Sequence, residues 1–323
     1  MIIIVTGGSG FIGSNFIDYW LSNHPDDMIT NIDKLTYASN PWFNRFAETS
    51  SNYRFKKIDI SNSGDFANAF DYAECVVNFA AESHVDRSIT DPSEFVKSNI
   101  YGVYNLLELA RKKDFRFHQV STDEVYGSLD SLQSPSFTEE SPYNPRNPYS
   151  ATKASADFLV RSYVNTYGLK ATISNCGNNF GPHQHPEKLI PKAIISALNN
   201  SKIPVYGNGQ QIRDWVFVED HCSAIDAILS QGKAGETYLV GANNEIKNID
   251  LVKKILEILH KEQNLIEFVR DRPGHDLRYS LSSKKIQQEL GWRPKHSFEE
   301  ALVATVEHYK NNIYVYEKMI IEK

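Results

Sequence analysis

Long apolar runs are missing from this sequence. Segments such as Ile2 to Val5 fall far short of the roughly 20 residues a helix needs to cross a bilayer, and no basic segment leads into an apolar stretch. A cytoplasmic protein is therefore expected. Cysteine is scarce: Cys75, Cys176 and Cys222 are odd in number, widely spaced and form no C-x-x-C pair, so neither disulfides nor a zinc site is expected. Basic tracts are missing too. The net charge is -6, and the densest basic run, Arg111-Lys112-Lys113, reads as a solvated helix face rather than a track for a polyanion. Nucleic acid is thus a poor partner, although single lysines and arginines can still clamp a diphosphate. Repeats and low-complexity tracts are absent. What remains is 323 residues with 41% apolar content, enough to bury one large core or two closely joined ones.

The first half alternates short β-rich apolar runs with longer segments of helical period, the pattern of an α/β fold with a doubly wound parallel sheet. Strands are predicted near 2–6, 28–33, 53–58, 74–80, 115–121 and 171–176. Helices are predicted near 11–23, 63–71, 92–113 and 148–167, the third opening at Asp91-Pro92. Beyond residue 177 the texture turns to loops rich in Gly, Pro, Asn and His, with helices near 248–261 and 297–312. This divides the chain into residues 1–177 and a smaller mixed lobe over 178–323. The runs Trp215 to Val218 and Thr237 to Val240 read as strands returning to the first sheet, so the lobes should interleave near 214–241.

The strand at Ile2 to Val5 runs straight into Thr6-Gly7-Gly8-Ser9-Gly10-Phe11-Ile12-Gly13. Glycines 7, 10 and 13 suit a tight turn, close approach of backbone N–H groups to a pyrophosphate, and close helix packing, and the helix N-terminus adds a favourable dipole. Twenty residues beyond Gly13, Asp33 ends the second strand, where a carboxylate accepts hydrogen bonds from a ribose and repels a 2'-phosphate. A Rossmann-type NAD site follows from this context, whereas the glycines alone would equally serve ordinary turns.

Tyr149-Ser150-Ala151-Thr152-Lys153 places a phenol and an ammonium one helical turn apart. The cation is expected to lower the phenol pKa, so that the tyrosine can take a proton from an alcohol while hydride leaves the adjoining carbon. By itself such a pair is commonplace on helix surfaces. The strand at 115–121 ends in Ser121-Thr122-Asp123-Glu124-Val125-Tyr126-Gly127, at the carboxyl edge of the sheet where such folds bind ligands. Two adjacent acids there are loop charges, a helix cap, or an acid and a base for an elimination. Their mutual repulsion would push one carboxyl upward.

Nearly the whole chain resembles the extended short-chain dehydrogenase/reductases, and within them the dTDP-glucose 4,6-dehydratases. The resemblance is carried by Asn31 to Ala38, Ala80 to Ser88, Thr122-Asp123-Glu124, Tyr149 with Lys153, Pro186 to Pro191, Ile212 to Trp215 and Arg272 to Asp276. Asp123 discriminates among relatives: 4-epimerases usually carry a small residue there, and UDP-glucuronate decarboxylases typically resemble Ser-Thr-Ser-Glu-Val-Tyr-Gly. The resemblance implies that Tyr149 deprotonates the sugar C4 hydroxyl, Thr122 orients the C4 oxygen, Lys153 contacts the nicotinamide ribose, Glu124 takes the C5 proton and Asp123 protonates the departing C6 oxygen. It implies NAD held by Gly7, Gly10, Phe11, Ile12, Gly13, Asp33, Lys34, Leu35, Thr36, Asp59, Ile60, Ala80, Ala81, Ser98, Asn179, Tyr149 and Lys153. A nucleoside-diphosphate hexose would lie against Ser83, Asn178, Lys188, Leu189, Pro204, Tyr206, Arg213, Asn248, Arg272 and His275. A homodimer built as a four-helix bundle from the helices near 92–113 and 148–167 is also implied.

The chain departs from the family at His183 and His185, where aromatic residues are usual, and at Leu277, where arginine is common. The histidines read as aromatic replacements rather than a metal pair. UDP-glucose or a UDP-N-acetylhexosamine is the alternative substrate, and a catalytically silent NAD-binding sensor the alternative class, which the full Thr-Asp-Glu and Tyr/Lys set opposes.

Overall fold

The computed structural model describes residues 1–62, 66–271 and 275–321. Its strands are β1 (Ile2–Thr6), β2 (Met28–Asp33), β3 (Tyr53–Lys57), β4 (Cys75–Asn78), β5 (Arg116–Thr122), β6 (Ala171–Cys176), β7 (Asn178–Phe180), β8 (Ile203–Tyr206), β9 (Ile212–Phe217), β10 (Thr237–Val240), β11 (Glu245–Lys247) and β12 (Ile266–Val269). The helices are α1 (Phe11–Asn23), α2 (Val85–Thr90), α3 (Ser93–Phe95), α4 (Gly102–Lys113), α5 (Pro148–Tyr167), α6 (Leu189–Leu198), α7 (Val218–Gln231), α8 (Asn248–Ile258), α9 (Lys284–Leu290), α10 (Phe298–Asn311) and α11 (Ile313–Ile321).

Seven parallel strands form the main sheet in the order β3-β2-β1-β4-β5-β6-β10. The winding direction reverses between β1 and β4, and that reversal opens a crevice at the carboxyl ends of the strands. Both faces are filled, as β1 shows: Ile3 and Val5 join a core with Phe16, Ile17 and Trp20 of α1, while Ile4 joins the opposite core with Val103, Leu106 and Phe117.

Three expectations need correction. The single helix over 92–113 is instead α3, a π-helical turn over Val96–Tyr101, and α4. The wide turn brings two neighbouring polar residues inward: Ser98 Oγ accepts from Lys34 Nζ, and Asn99 bonds both backbone groups of Glu82. Asp91 caps the start, accepting from the Ser93 N–H at 2.9 Å. In the segment near 63–71, the described residues form only a 3-10 turn over Ala67–Phe70; residues 63–65 lie outside them.

The third correction concerns Trp215 to Val218, which does not return to the main sheet. β9 pairs with β7 and β11 in a small separate sheet, while β10 does join β6. The divergence starts at Gly177, where a Cβ would stand 2.9 Å from the Asp214 carbonyl oxygen. The missing side chain lets the chain leave β6 and lie against β9, which carries the second lobe to the crevice.

Candidate active site

β1 delivers the glycine loop to the crevice. A Cβ on Gly7, which has φ +73°, would lie 2.6 Å from the Ala80 nitrogen, and one on Gly13 would lie 2.4 Å from the Gly7 carbonyl oxygen. Side chains are thus excluded where the loop meets β4 and where it enters α1. Gly10, the N-cap of α1, brings no side-chain cap, so first-turn N–H groups are left for a ligand. Asp33 fixes the far end: its Oδ2 accepts from the Ser9 N–H at 3.0 Å and its Oδ1 from the Leu35 N–H at 2.7 Å. Burial pushes the Asp33 carboxyl up, and those two N–H groups oppose it. Leu35 therefore acts through its backbone, held at φ +59°.

The cleft is lined by Gly7, Gly10, Phe11, Ile12, Gly13, Asp33, Lys34, Thr36, Asp59, Ile60, Ala80, Ala81, Ser83, Ser98, Tyr149 and Lys153. This glycine-floored cradle with a carboxylate at its end fits a dinucleotide. Asn179 is not brought to it. Its amide donates to the Gly177 carbonyl at 3.0 Å, and its Oδ1 faces His221 Nδ1 at 3.0 Å.

The reactive groups stand where β5 ends and α5 begins. Thr122 caps the 3-10 turn Asp123–Tyr126, its Oγ1 accepting from the Glu124 N–H and donating to Asp123 Oδ1 at 3.2 Å. Asp123 is buried, and its Oδ2 has no hydrogen-bond partner among the described residues. Burial first, and then the Glu124 charge, push its carboxyl well above the usual range, against the pull of Arg213. The repulsion expected between the paired acids is present but secondary to burial. Glu124 Oε2 accepts from Asn147 Nδ2 at 3.3 Å. Asn147 also caps α5 through the Ser150 N–H in a capping box followed by Pro148.

That cap sets Tyr149 and Lys153 on the inner face of α5, both buried. The phenol is not lowered as expected. Burial, and then the charge of Glu124, push it up, while Thr122 bonds it and pulls it down. Lys153 Nζ donates to the Val120 carbonyl at 2.6 Å, and burial pulls the ammonium down to about 8. The desolvation of a phenolate here outweighs a cation one turn away.

A second cleft is lined by Glu124, Asn178, Lys188, Leu189, Pro204, Tyr206, Arg213, Asn248 and His275. It shares Gln184, Glu187 and Lys188 with the first, so the two meet beside the reactive groups. Lys188 Nζ donates to the Ser83 carbonyl at 3.0 Å, and the Tyr206 and His275 rings meet edge to face. Arg272 lies outside the described residues.

Sequence reasoning missed Glu187, Arg87, Asp86 and Asn147. Glu187 accepts from Tyr37 at 3.2 Å and faces Arg87 at 3.7 Å, and Asp86 accepts from Tyr206 at 3.1 Å. Three of the four stand inside the Ala80–Ser88 and Pro186–Pro191 motifs, which was the available signal. His183 stacks on Phe43 at 4.7 Å and bonds Ser14, while His185 meets Tyr37 edge to face at 5.4 Å. Both imidazoles thus have aromatic neighbours, as an aromatic replacement would.

A parallel sheet of this order, with a dinucleotide cradle and a buried Tyr/Lys pair at its carboxyl edge, defines the extended short-chain dehydrogenase/reductase class. Residues 4–305 match the family described as GDP-mannose 4,6 dehydratase, and the chain belongs to that family. It is 48% identical to the dTDP-glucose 4,6-dehydratase of Haemophilus influenzae, covering 97% of this chain and 98% of the relative. A solved dTDP-glucose 4,6-dehydratase from Streptomyces venezuelae, with NAD bound, superposes with a TM-score of 0.96 at 43% identity, covering 99% of this chain and 100% of the other. A UDP-glucose 4-epimerase from Thermotoga maritima superposes with 0.89 at 27% identity, covering 97% and 100%.

Proposed function

We propose that this enzyme is an NAD-dependent dTDP-glucose 4,6-dehydratase, a hydro-lyase yielding the 4-keto-6-deoxy sugar. The observation that carries the reading is Asp123: a buried carboxyl, held toward its protonated form, with one oxygen unpartnered among the described residues and Glu124 beside it. The relatives named as dTDP-glucose 4,6-dehydratases support the substrate. Residues 1–177, with the returning strand β10, serve the dinucleotide in this reading, and the rest of 178–323 serves the nucleotide sugar.

When bound, the nicotinamide supplies a hydride acceptor that takes hydride from C4 and returns it to C6 within one turnover. Tyr149 takes the C4 hydroxyl proton as its phenolate, a form that burial disfavours and that the positive charge of a bound nicotinamide would favour, and Thr122 orients the oxygen. The new carbonyl acidifies C5, whose proton Glu124 takes. Asp123 gives its proton to the C6 oxygen, the C6–O bond breaks and water leaves. Glu124 then returns its proton to C5. Each turnover leaves Tyr149 one proton richer and Asp123 one poorer, and the Thr122 hydroxyl bonds both. Lys188, Arg213 and Arg272 would clamp the diphosphate, with Tyr206 beside the base.

The test is turnover on a panel of dTDP- and UDP-hexoses, with products identified by mass and NMR. A 4-keto-6-deoxy product from dTDP-glucose, with no stoichiometric NADH, is expected. Faster turnover of a UDP-hexose, or NADH accumulating one for one with product, overturns the reading.

Two further parts belong to the proposal. Exposed Tyr101, Tyr104, Phe158 and Tyr167 give α4, its preceding turn and α5 an apolar outer face, which supports a homodimer joined as a four-helix bundle. A cytoplasmic location is supported by three unpaired cysteines, which suit a reducing compartment. No helix among the described residues is long and apolar enough to cross a membrane.

A further inference from the structure

One fully buried carboxylate near the reactive groups has no part in the chemistry above. Asp157 stands on α5 one helical turn beyond Lys153, on the same face, and is 0% exposed. Three donors converge on its Oδ2: Ser121 Oγ at 2.8 Å, Tyr143 OH at 3.0 Å and Asn175 Nδ2 at 3.2 Å. Its Oδ1 has no hydrogen-bond partner among the described residues. Burial pushes the carboxyl up, and the Lys153 charge and the three donors, which serve a carboxylate, oppose it.

We propose that Asp157 is a positioning residue that keeps the Lys153 ammonium charged and anchors the strand end carrying Thr122, so that one buried carboxylate steadies both sides of the proton-transfer site. The proposal rests on the dehydratase reading only for the step it affects.

The anchoring is direct. Ser121 precedes Thr122 on β5, and the Asn175 amide that bonds Asp157 also donates to the Thr122 carbonyl at 3.2 Å. Tyr143 is held in turn by Arg161 at 2.9 Å. The charged and titratable groups around Asp157 are Lys153, Arg161 and Tyr149 on its own helix, Tyr143 on the preceding loop and Tyr126 after β5. β5 and β6 add the neutral donors Ser121 and Asn175. Burial favours neutral Lys153, and Asp157 is the charge that opposes it. By reciprocity, Lys153 holds Asp157 down against its own burial.

Asp157→Asn keeps the size and an acceptor oxygen for the three donors while removing the charge. We expect the Lys153 titration, followed by NMR of lysine labelled at Cε and identified by its loss in Lys153→Met, to move down by about one pH unit, a tenfold smaller charged fraction above the midpoint. The alkaline limb of initial NADH formation should move with it, and activity should recover toward lower pH. An unmoved Lys153 midpoint overturns the proposal. The reciprocal measurement needs no change at 157: in Lys153→Met, labelled Asp157 should titrate higher, and an unmoved Asp157 equally overturns the coupling. Both NMR titrations are read without turnover. Failure of the dehydratase reading would appear instead in the product of the unaltered enzyme.

Discussion

Asp123 is the residue on which dehydration turns, and its environment gives the reason. A buried carboxyl beside a second acid holds its proton where a solvated aspartate would release it. Asp123→Asn keeps the shape and loses the acid. Oxidation at C4 should survive while elimination slows by about 100-fold or more, the lower range for a lost general acid. Rapid mixing at the NADH absorbance, with solvent-deuterium exchange at C5, separates the steps. Tyr149→Phe should instead suppress the first NADH signal. An Asp123→Asn enzyme that eliminates at the wild-type rate, or one whose initial NADH signal is lost as in Tyr149→Phe, would overturn the role given to Asp123. The adjacency of these residues was legible along the chain, but which acid is buried was not. Thr122 turns the chain at the end of β5, so that Asp123 faces inward and Glu124 reaches toward Asn147.

Among the elements, α1 and α5 emerge with the predicted bounds because their caps are local: a glycine turn before Phe11, and Asn147-Pro148 before Tyr149. The π-helical turn was not legible, since it answers to Lys34 and Glu82, far away in the sequence. α1 carries one tension of its own. Asp18 is largely buried against the turn Ala47–Thr49, and burial raises it to about 7 despite Arg45. Its folded pKa thus lies above the unfolded value, so the folded state holds a proton that the unfolded state has released. The sign follows: this contribution to stability is full below about pH 4 and is lost as pH rises toward 7. Asp18→Asn keeps an acceptor for the Ala47 N–H and does not titrate. In urea unfolding the variant should gain on the wild type by about 1.4 kcal/mol per pH unit between pH 5 and 6, and by less as pH nears 7. A gap that stays constant over that range would show that Asp18 is ionised throughout.

On the scale of the whole molecule, the apolar outer face of α4 and α5 leads to an assembly prediction. Sedimentation at micromolar concentration should give twice the 36.7 kDa chain mass. Tyr104→Glu combined with Phe158→Glu, both on exposed positions, should give monomers that still bind NAD. A monomeric wild type removes the bundle. The sequence by itself determined the β1–α1 cradle, the acid at the end of β2, the Tyr/Lys turn and the paired acids, because each depends on neighbours within one strand-turn-helix unit. Only the tertiary structure decided that the chain leaves the main sheet at Gly177 and that Trp215 to Phe217 pairs there with β7 instead of returning to that sheet, that the phenol of Tyr149 is raised rather than lowered, and that Asp157 stands behind Lys153. Those outcomes depend on which distant groups exclude water from a given atom, and desolvation is a property of the packed whole rather than of any segment.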